Sequence, residues 1–140
     1  MFFPANLTVL VEQPRFSFIK RSEDLRVDFV SPVPCPFNYG SVPDSQAEDG
    51  DREDVVVLGP RLPKGLYQQL PVLARAHFYD AGRYDGKWVC GKAMRPLDRG
   101  ALIAFFTVYA RFKRVLNRAR GLSGETRFAG LELAPKAVSE

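Results

Sequence analysis

The sequence predicts a mainly β (α+β) domain, a small barrel or sandwich of short strands followed by one long C-terminal helix. Through the first hundred residues, apolar runs alternate with Pro and Gly, which is typical of strands joined by turns. From residue 98 onward, apolar residues recur at steps of three and four, the period of an amphipathic helix. The length of 140 residues suits a single domain with a moderate core.

The strand candidates are short apolar runs bounded by turn residues, at the spacing expected of a small barrel or sandwich. They cover residues 7–11, 15–20, 25–30, 55–58, 66–78 with a break at Pro71, and 87–92. Between Pro32 and Asp54 the chain is dense in Pro, Gly, Asn and Asp. A loop of this length is more often functional than a bare connector, so we expect a functional loop there.

The predicted helix begins near Asp98, which is placed to cap it, and ends before Gly121. Its apolar stripe consists of Leu102, Phe105, Phe106, Tyr109, Phe112 and Leu116. Positive charge in the last turns offsets the carbonyl end of the helix dipole. The residues that supply it are Arg114, Arg118 and Arg120. Residues 121–140 show no clear period and are expected to form an irregular tail of a single domain, 1–140.

Charge and cysteine content narrow the class of function. The net charge is +4, but residues 98–127 carry +5, so the rest of the chain sums to −1. The basic character belongs to the helical segment, where the dipole accounts for it. Cys35 and Cys90 form neither a CxxC pair nor a zinc spacing, so both are expected to be free thiols. The chain lacks an apolar run of about 18 residues and a basic leader, so we expect a cytoplasmic, non-membrane protein.

The densest cluster of acidic residues lies at residues 48–54, Glu-Asp-Gly-Asp-Arg-Glu-Asp, where five of seven residues carry a carboxylate. Carboxylates this close repel one another unless solvent, protons or a cation offset their charge, and hard divalent cations prefer oxygen ligands. The cluster indicates either a magnesium or calcium site or a solvated acidic turn. An EF-hand is a poor fit, because Gly follows the first Asp directly and no helical stretch flanks the cluster.

A second carboxylate pair follows at Asp80 and Asp85, in a turn that leads into a strand with Lys87. Side chains alternate along a strand, so Asp85 and Lys87 are expected to point the same way. A carboxylate beside an ammonium is an arrangement suited to binding a metal phosphate.

These motifs resemble the soluble (family I) inorganic pyrophosphatases. Residues 49–55, Asp-Gly-Asp-Arg-Glu-Asp-Val, are similar to the family's D-x-D-x-x-D signature and the strand after it. Residues 36–40, Pro-Phe-Asn-Tyr-Gly, resemble the turn that precedes the signature. Asp80, Asp85 and Lys87 reproduce the family's D-x4-D-x-K.

Three weaker motifs stand in the family's order. Residues 11–14, Val-Glu-Gln-Pro, resemble the first core strand with its glutamate. Residues 19–20 resemble the lysine strand, and residues 105–109 resemble the helix that delivers a phosphate-binding tyrosine. The likeness spans roughly residues 10–112.

The resemblance implies a five-stranded barrel of the oligonucleotide-binding type with the long C-terminal helix packed against it. It implies magnesium-dependent hydrolysis of inorganic pyrophosphate to two phosphates by water that several Mg²⁺ ions activate. Homo-oligomers are usual in the family, hexamers in bacteria.

The resemblance also implies a role for each site residue. Asp51 would be the general base. The metal ligands would be Asp49, Asp54, Asp80, Asp85 and Glu12. The substrate-binding residues would be Lys20, Tyr39, Lys87 and Tyr109.

The chain departs from the family pattern where phosphate is expected to bind. Phe29 stands near the place of an arginine, Cys35 replaces a tyrosine and Ala110 replaces a lysine. Two alternatives therefore stay open: a hydrolase of another phosphoanhydride, and a non-catalytic member that binds phosphate or nucleic acid. Nucleic acid would be bound through a basic helix face, but the carboxylates of the cavity argue against that. That face would comprise Arg111, Lys113, Arg114, Arg118 and Arg120.

Overall fold

A computed structural model describes residues 2–16, 19–21, 27–30, 35–43, 45 and 51–135, with the backbone alone at 19–21 and 27–30. Within these ranges the chain forms nine strands and one helix, α1, at Pro96–Ala119. The strands are β1 (Asn6–Gln13), β2 (Ile19–Arg21), β3 (Val27–Val30), β4 (Asn38–Ser41), β5 (Asp54–Val57), β6 (Tyr67–Asp80), β7 (Arg83–Tyr84), β8 (Lys87–Cys90) and β9 (Arg127–Leu133).

Five strands close into a ring. The order is β1-β4-β5-β8-β6, and β6 pairs back onto β1. The pairing of β5 with β8 is parallel, and the other four pairings of the ring are antiparallel. The short β7 and the C-terminal β9 add to β6, while β2 and β3 pair in a separate two-stranded sheet. The predicted five-stranded barrel with a long helix is confirmed.

The strands bury apolar side chains on both faces. Val56 belongs to a core cluster that includes Phe78 and the helix residue Phe106. Val55, next to it in β5, belongs to a second cluster with Trp88. Since neighbouring side chains point to opposite faces of a strand, the two clusters lie on opposite sides of β5 and β8. Burial on both faces explains why β5 is an uninterrupted run of valines.

The helix begins two residues before the predicted start. Pro96 takes the first helical position, where its missing N–H is not needed. Asp98 caps the helix from its third position, accepting a hydrogen bond from the Arg95 backbone N–H at 2.9 Å. The helix ends where Gly121 adopts φ +72°, as its position after the arginines predicts. Within the described chain, no helix is long and apolar enough to cross a membrane.

The helical stripe is partly as predicted. Leu102, Phe106 and Tyr109 are buried, whereas Phe105, Phe112 and Leu116 are half-buried at its edge. The buried face continues toward the C-terminal end of α1 through two polar residues, Lys113 and Asn117. Neither cysteine forms a disulfide, and both are buried. Burial raises the pKa of the Cys90 thiol to about 12.

The predicted break at Pro71 is wrong. β6 runs from Tyr67 to Asp80 through the proline, which pairs with Asn6 of β1. Proline lacks an N–H, but its carbonyl still accepts a hydrogen bond from the Gly91 N–H at 3.1 Å. The strand therefore loses one donor and keeps its pairing, and the irregularity falls later, between Val72 and Ala74.

The predicted irregular tail is wrong for Arg127–Leu133, which form β9 against β6. Phe128 and Leu131 pack on the core, three residues apart instead of two. A register shift opposite His77 and Phe78 accounts for this spacing, which hides the usual alternation of a strand. A further strand, β4, lies within the predicted loop between Pro32 and Asp54.

Candidate functional site

The candidate site lies on the face of the barrel that α1 covers. Asp54 stands opposite Ser41 of β4 on one side and opposite Lys87 of β8 on the other. Tyr39 lies two residues before Ser41, so it shares their face. Four residues from three adjacent strands thus line up across the barrel.

Lys87 is the centre of this line. Its ammonium donates to Asp54 Oδ2 at 2.7 Å and to Asp85 Oδ2 at 2.6 Å, and its side chain is 1% exposed. Burial favours the neutral amine, but the negative charges of Asp54 and Asp85 outweigh it and hold the pKa of Lys87 well above its ordinary value. The predicted closeness of Asp85 and Lys87 is confirmed.

Two tyrosines lie beside the ammonium. Burial, and then the negative charge of Asp54, raise the pKa of Tyr39 well above its ordinary value, so its phenol stays protonated. Tyr109 comes from α1, with its ring 5.7 Å from that of Phe78, and the Lys87 ammonium lies 5.6 Å from the same Phe78 ring. Tyr39 and Tyr109 each interact electrostatically with Lys87. The site therefore combines one buried cation, two carboxylates and two phenols.

Glu12 extends the site toward β1. It is buried, and its Oε2 accepts a hydrogen bond from Ser41 Oγ at 3.0 Å. Since Ser41 stands directly opposite Asp54, the Glu12 carboxylate lies on the same face as the carboxylates around Lys87. Ser41 was not among the predicted site residues, because a single serine after Tyr-Gly carries no pattern of its own.

Asp80 is held from the helix. Its Oδ1 accepts from Asn117 Nδ2 at 2.7 Å, and its Oδ2 lies 3.3 Å from Lys113 Nζ. Burial opposes ionisation, but the Asn117 amide and the Lys113 ammonium outweigh it and lower the pKa of Asp80. Sequence reasoning named Lys113 only as part of a basic helix face and did not name Asn117, although both follow Tyr109 at steps of four and so share its face.

The other predicted site residues are Asp51, Lys20 and Asp49. Asp51 is exposed, three residues before Asp54. Lys20 pairs with Phe29 between β2 and β3, where only the backbone is described. Asp49 lies outside the described residues. Cys35 and Ala110, at two departures from the family pattern, are buried in the core cluster under the helix.

The nearest described cation to Ala110 on the inner face of α1 is Lys113, which reaches Asp80. Lys113 is therefore turned away from solvent and is not part of an exposed basic face. The exposed members of the basic face are Arg111, Arg114, Arg118 and Arg120.

The carboxylate oxygens of this face are suitable ligands for magnesium. Asp54 and Asp85 already converge on one cation, the Lys87 ammonium, and carboxylate oxygens are the donors that Mg²⁺ prefers. Among the described residues, no three His, Cys, Asp or Glu side chains are grouped closely enough to hold a metal.

Solved structures share this fold. The chain superposes on an inorganic pyrophosphatase from Neisseria gonorrhoeae with a TM-score of 0.74 and 24% identity, over 92% of this chain and 83% of that one. An inorganic pyrophosphatase from Thermus thermophilus gives 0.73 and 24%, over 93% and 83%. The fold is thus the oligonucleotide-binding-type barrel of this class of protein.

Sequence comparison shows the family. The family model for inorganic pyrophosphatase matches residues 9–119, and the chain belongs to that family. It is 34% identical over 101 residues to a soluble inorganic pyrophosphatase of Oryza sativa subsp. indica, covering 66% of this chain and 47% of the relative. It is 41% identical over 63 residues to an inorganic pyrophosphatase of Saccharolobus solfataricus, covering 40% and 37%. These alignments thus span less than half the length of each relative.

Proposed function

We propose that the chain hydrolyses inorganic pyrophosphate to two phosphates in a magnesium-dependent reaction. The convergence of Asp54 and Asp85 on the buried Lys87 ammonium, beside Tyr39 and Tyr109, carries the proposal. Membership of the family supports pyrophosphate as the substrate. A compact polyanion needs fixed cations and neutral donors, and this face offers both beside carboxylates suited to metal.

Several magnesium ions would be held by the carboxylates of this face together with the acidic signature. The residues that we assign to them are Asp49, Asp54, Asp80, Asp85 and Glu12. Bound magnesium would neutralise phosphate charge and lower the pKa of a water molecule toward neutrality.

The remaining chemistry belongs to the chain's own side chains. Lys87, kept protonated by its two carboxylates, would stabilise charge on the phosphoryl oxygens. Tyr39, a neutral phenol because its pKa is raised, and Tyr109 would donate hydrogen bonds to the substrate. Lys20 would supply a second cation, and Asp51 would accept a proton from the attacking water.

Phosphate release from pyrophosphate, with magnesium and with a chelator, tests the proposal. We expect release that needs magnesium and falls roughly tenfold to hundredfold in Asp54→Asn, since a hydrogen bond or ligand contact to a charged group is worth about 1.5–3 kcal/mol. The matched control is Glu132→Gln, an acid-to-amide change on β9, which should leave the rate unchanged. Equal release in chelator, or full activity of Asp54→Asn, would contradict the metal assignment.

Nucleoside diphosphates and tripolyphosphate belong in the same assay. Preference for one of them over pyrophosphate would replace the proposed substrate while keeping the site. The expected hexameric assembly rests on the resemblance, and the expected cytoplasmic location rests on the composition of the sequence. Size-exclusion chromatography with light scattering measures the assembly.

A further inference from the structure

A polar cavity of about 350 Å³ lies between the C-terminal end of α1 and the loop that leads into β9. It contains none of the residues assigned above to metal, base or pyrophosphate. The charged residues of its lining are Arg114, Arg118, Arg127 and Glu125. We propose that this cavity binds a small phosphorylated anion, and that its occupancy is transmitted to Asp80.

The cavity has an uncompensated positive charge. Its one carboxylate, Glu125, is already paired with Arg127 at 2.6 Å. Arg114 Nε donates to the Thr126 carbonyl at 2.7 Å, a bond that fixes the guanidinium without neutralising it. Throughout the described chain, the Arg118 guanidinium has neither an acidic partner nor a side-chain hydrogen bond. Three arginines thus line a cavity whose single carboxylate is already engaged by one of them.

The size and the polar wall define the ligand class. Small-molecule cavities range from about 300 to 1,000 Å³, so this one lies at the lower end of that range and has room for a phosphoryl group carried on a small molecule. Guanidinium groups present paired N–H donors that match phosphate oxygens. The wall adds Asn117 and Thr126, both buried polar side chains. The chemistry fits inorganic phosphate or the terminal phosphoryl group of a monoester.

The cavity wall is bonded directly to the turn that carries Asp80. Asn117 Nδ2 donates to Asp80 Oδ1 at 2.7 Å and to Thr126 Oγ1 at 3.0 Å. Thr126 Oγ1 also accepts from the Ala81 N–H at 3.0 Å, and the Glu125 carbonyl accepts from the Gly82 N–H at 2.8 Å. A ligand that moves Thr126 therefore changes the hydrogen bonds of residues 80–82.

The loop at Gly124 and the turn at Ala81 are tightly packed against each other. A Cβ atom on Gly124 would lie 2.5 Å from the Ala81 carbonyl carbon and oxygen. The loop and the turn are thus in backbone contact, and displacement of one is passed to the other. The significance of this coupling for catalysis rests on the proposed function, which assigns Asp80 to metal; the binding site does not.

Titration with inorganic phosphate, followed by two-dimensional ¹H–¹⁵N NMR in the absence of metal, tests both parts. We expect saturable shifts of the Arg114 and Arg118 Nε–H signals and the Thr126 amide, together with the Ala81 amide and the Asn117 side-chain amide. Arg118→Gln should weaken this binding roughly tenfold or more, because it removes a charge-assisted hydrogen bond. Arg111→Gln, an equal loss of charge at an exposed helix position outside the cavity, should leave the affinity unchanged.

Equal affinity in the two variants, or phosphate shifts confined to the Lys87 face, would overturn the binding site. NMR shifts at Arg114, Arg118 and Thr126 without any change at Ala81 and Asn117 would overturn the transmission to Asp80. Adenosine monophosphate in a parallel titration separates a free phosphate ion from a phosphoryl group on a larger molecule. Since no measurement here uses hydrolysis, an inactive chain would count against the proposed function and not against this site.

Discussion

Replacing Lys87 by methionine probes how the carboxylates of the site are held before any ligand arrives. The ammonium lies 2.7 Å from Asp54 and 2.6 Å from Asp85, and the side chain is 1% exposed. Methionine fills much of the same volume without the charge, so the variant leaves two carboxylates facing each other. Removing one partner of a buried ion pair costs about 3–5 kcal/mol. Because the two carboxylates are 22% and 16% exposed, solvent offsets part of this, and we expect about 3 kcal/mol.

Urea unfolding at pH 7 in the presence of chelator, followed by circular dichroism, measures this loss. Lys92→Met, at an exposed lysine just after β8, is the matched control and should unfold like the wild type. Magnesium should recover part of the stability of Lys87→Met, because the two carboxylates are assigned to metal. Adding Asp85→Asn to Lys87→Met should also recover stability, since a single carboxylate then remains.

The contribution of Lys87 to stability should depend on pH in one direction. The folded pKa of Lys87 is raised, so its stabilisation is present in full below the ordinary lysine pKa and is lost as pH rises through the folded value. The difference between wild type and Lys87→Met should therefore persist at neutral pH and shrink in strong alkali. A loss at pH 7 no larger than that of an exposed pair, about 1 kcal/mol, would refute this reasoning. The reasoning would also be refuted if magnesium did not change the unfolding stability of Lys87→Met.

Three further predictions concern single side chains. Tyr39→Phe should lower kcat/KM for pyrophosphate about two- to tenfold, the effect of losing one neutral hydrogen bond, whereas Tyr67→Phe at an exposed position should not. Asp98→Asn should cost about 0.5–1 kcal/mol of stability at pH 7 in urea unfolding. Because the neighbouring guanidinium lowers the folded pKa of Asp98, this difference should vanish as pH falls through that value. Gly124→Ala should lower the thermal midpoint more than Gly65→Ala. Both glycines have positive φ, +105° and +90°, but only at 124 does a Cβ meet backbone, at 2.5 Å.

Each of these has a contrary result. Equal kcat/KM for the two phenylalanine variants would remove the phenol of Tyr39 from the site. A stability difference for Asp98→Asn that stays constant with pH would show that the carboxylate charge does not cap the helix. Equal midpoints for the two alanine variants would show that the loop and the turn can separate at little cost.

The sequence was most informative where the chemistry is local. Asp85 and Lys87 are two residues apart, and their predicted closeness is confirmed at 2.6 Å. The valine run of β5 likewise predicted a strand, the period from Leu102 to Tyr109 predicted an amphipathic helix, and both elements are present. In each case the signal lies within one segment, so that local spacing and the alternation of side chains are enough.

Long-range contacts were not predictable in the same way. In the sequence, Lys113 appears as one of several basic helix residues and Asn117 as an ordinary polar one, whereas both contact Asp80, more than thirty residues away. β9 was missed because its register shift places Phe128 and Leu131 on the core at an unusual spacing. Both depend on how β6 is positioned against the helix and the C-terminal segment, which the local pattern does not encode.

The role of Asp51 offers the most direct test of the proposed catalytic centre. The measurement is the rate of phosphate release from pyrophosphate, with magnesium at pH 7, by the wild-type chain and by Asp51→Asn. We predict magnesium-dependent release by the wild type and a rate roughly 10²–10⁴-fold lower in the variant, the range contributed by a positioned general base. No release by the wild type, or equal rates for both proteins, would contradict the account.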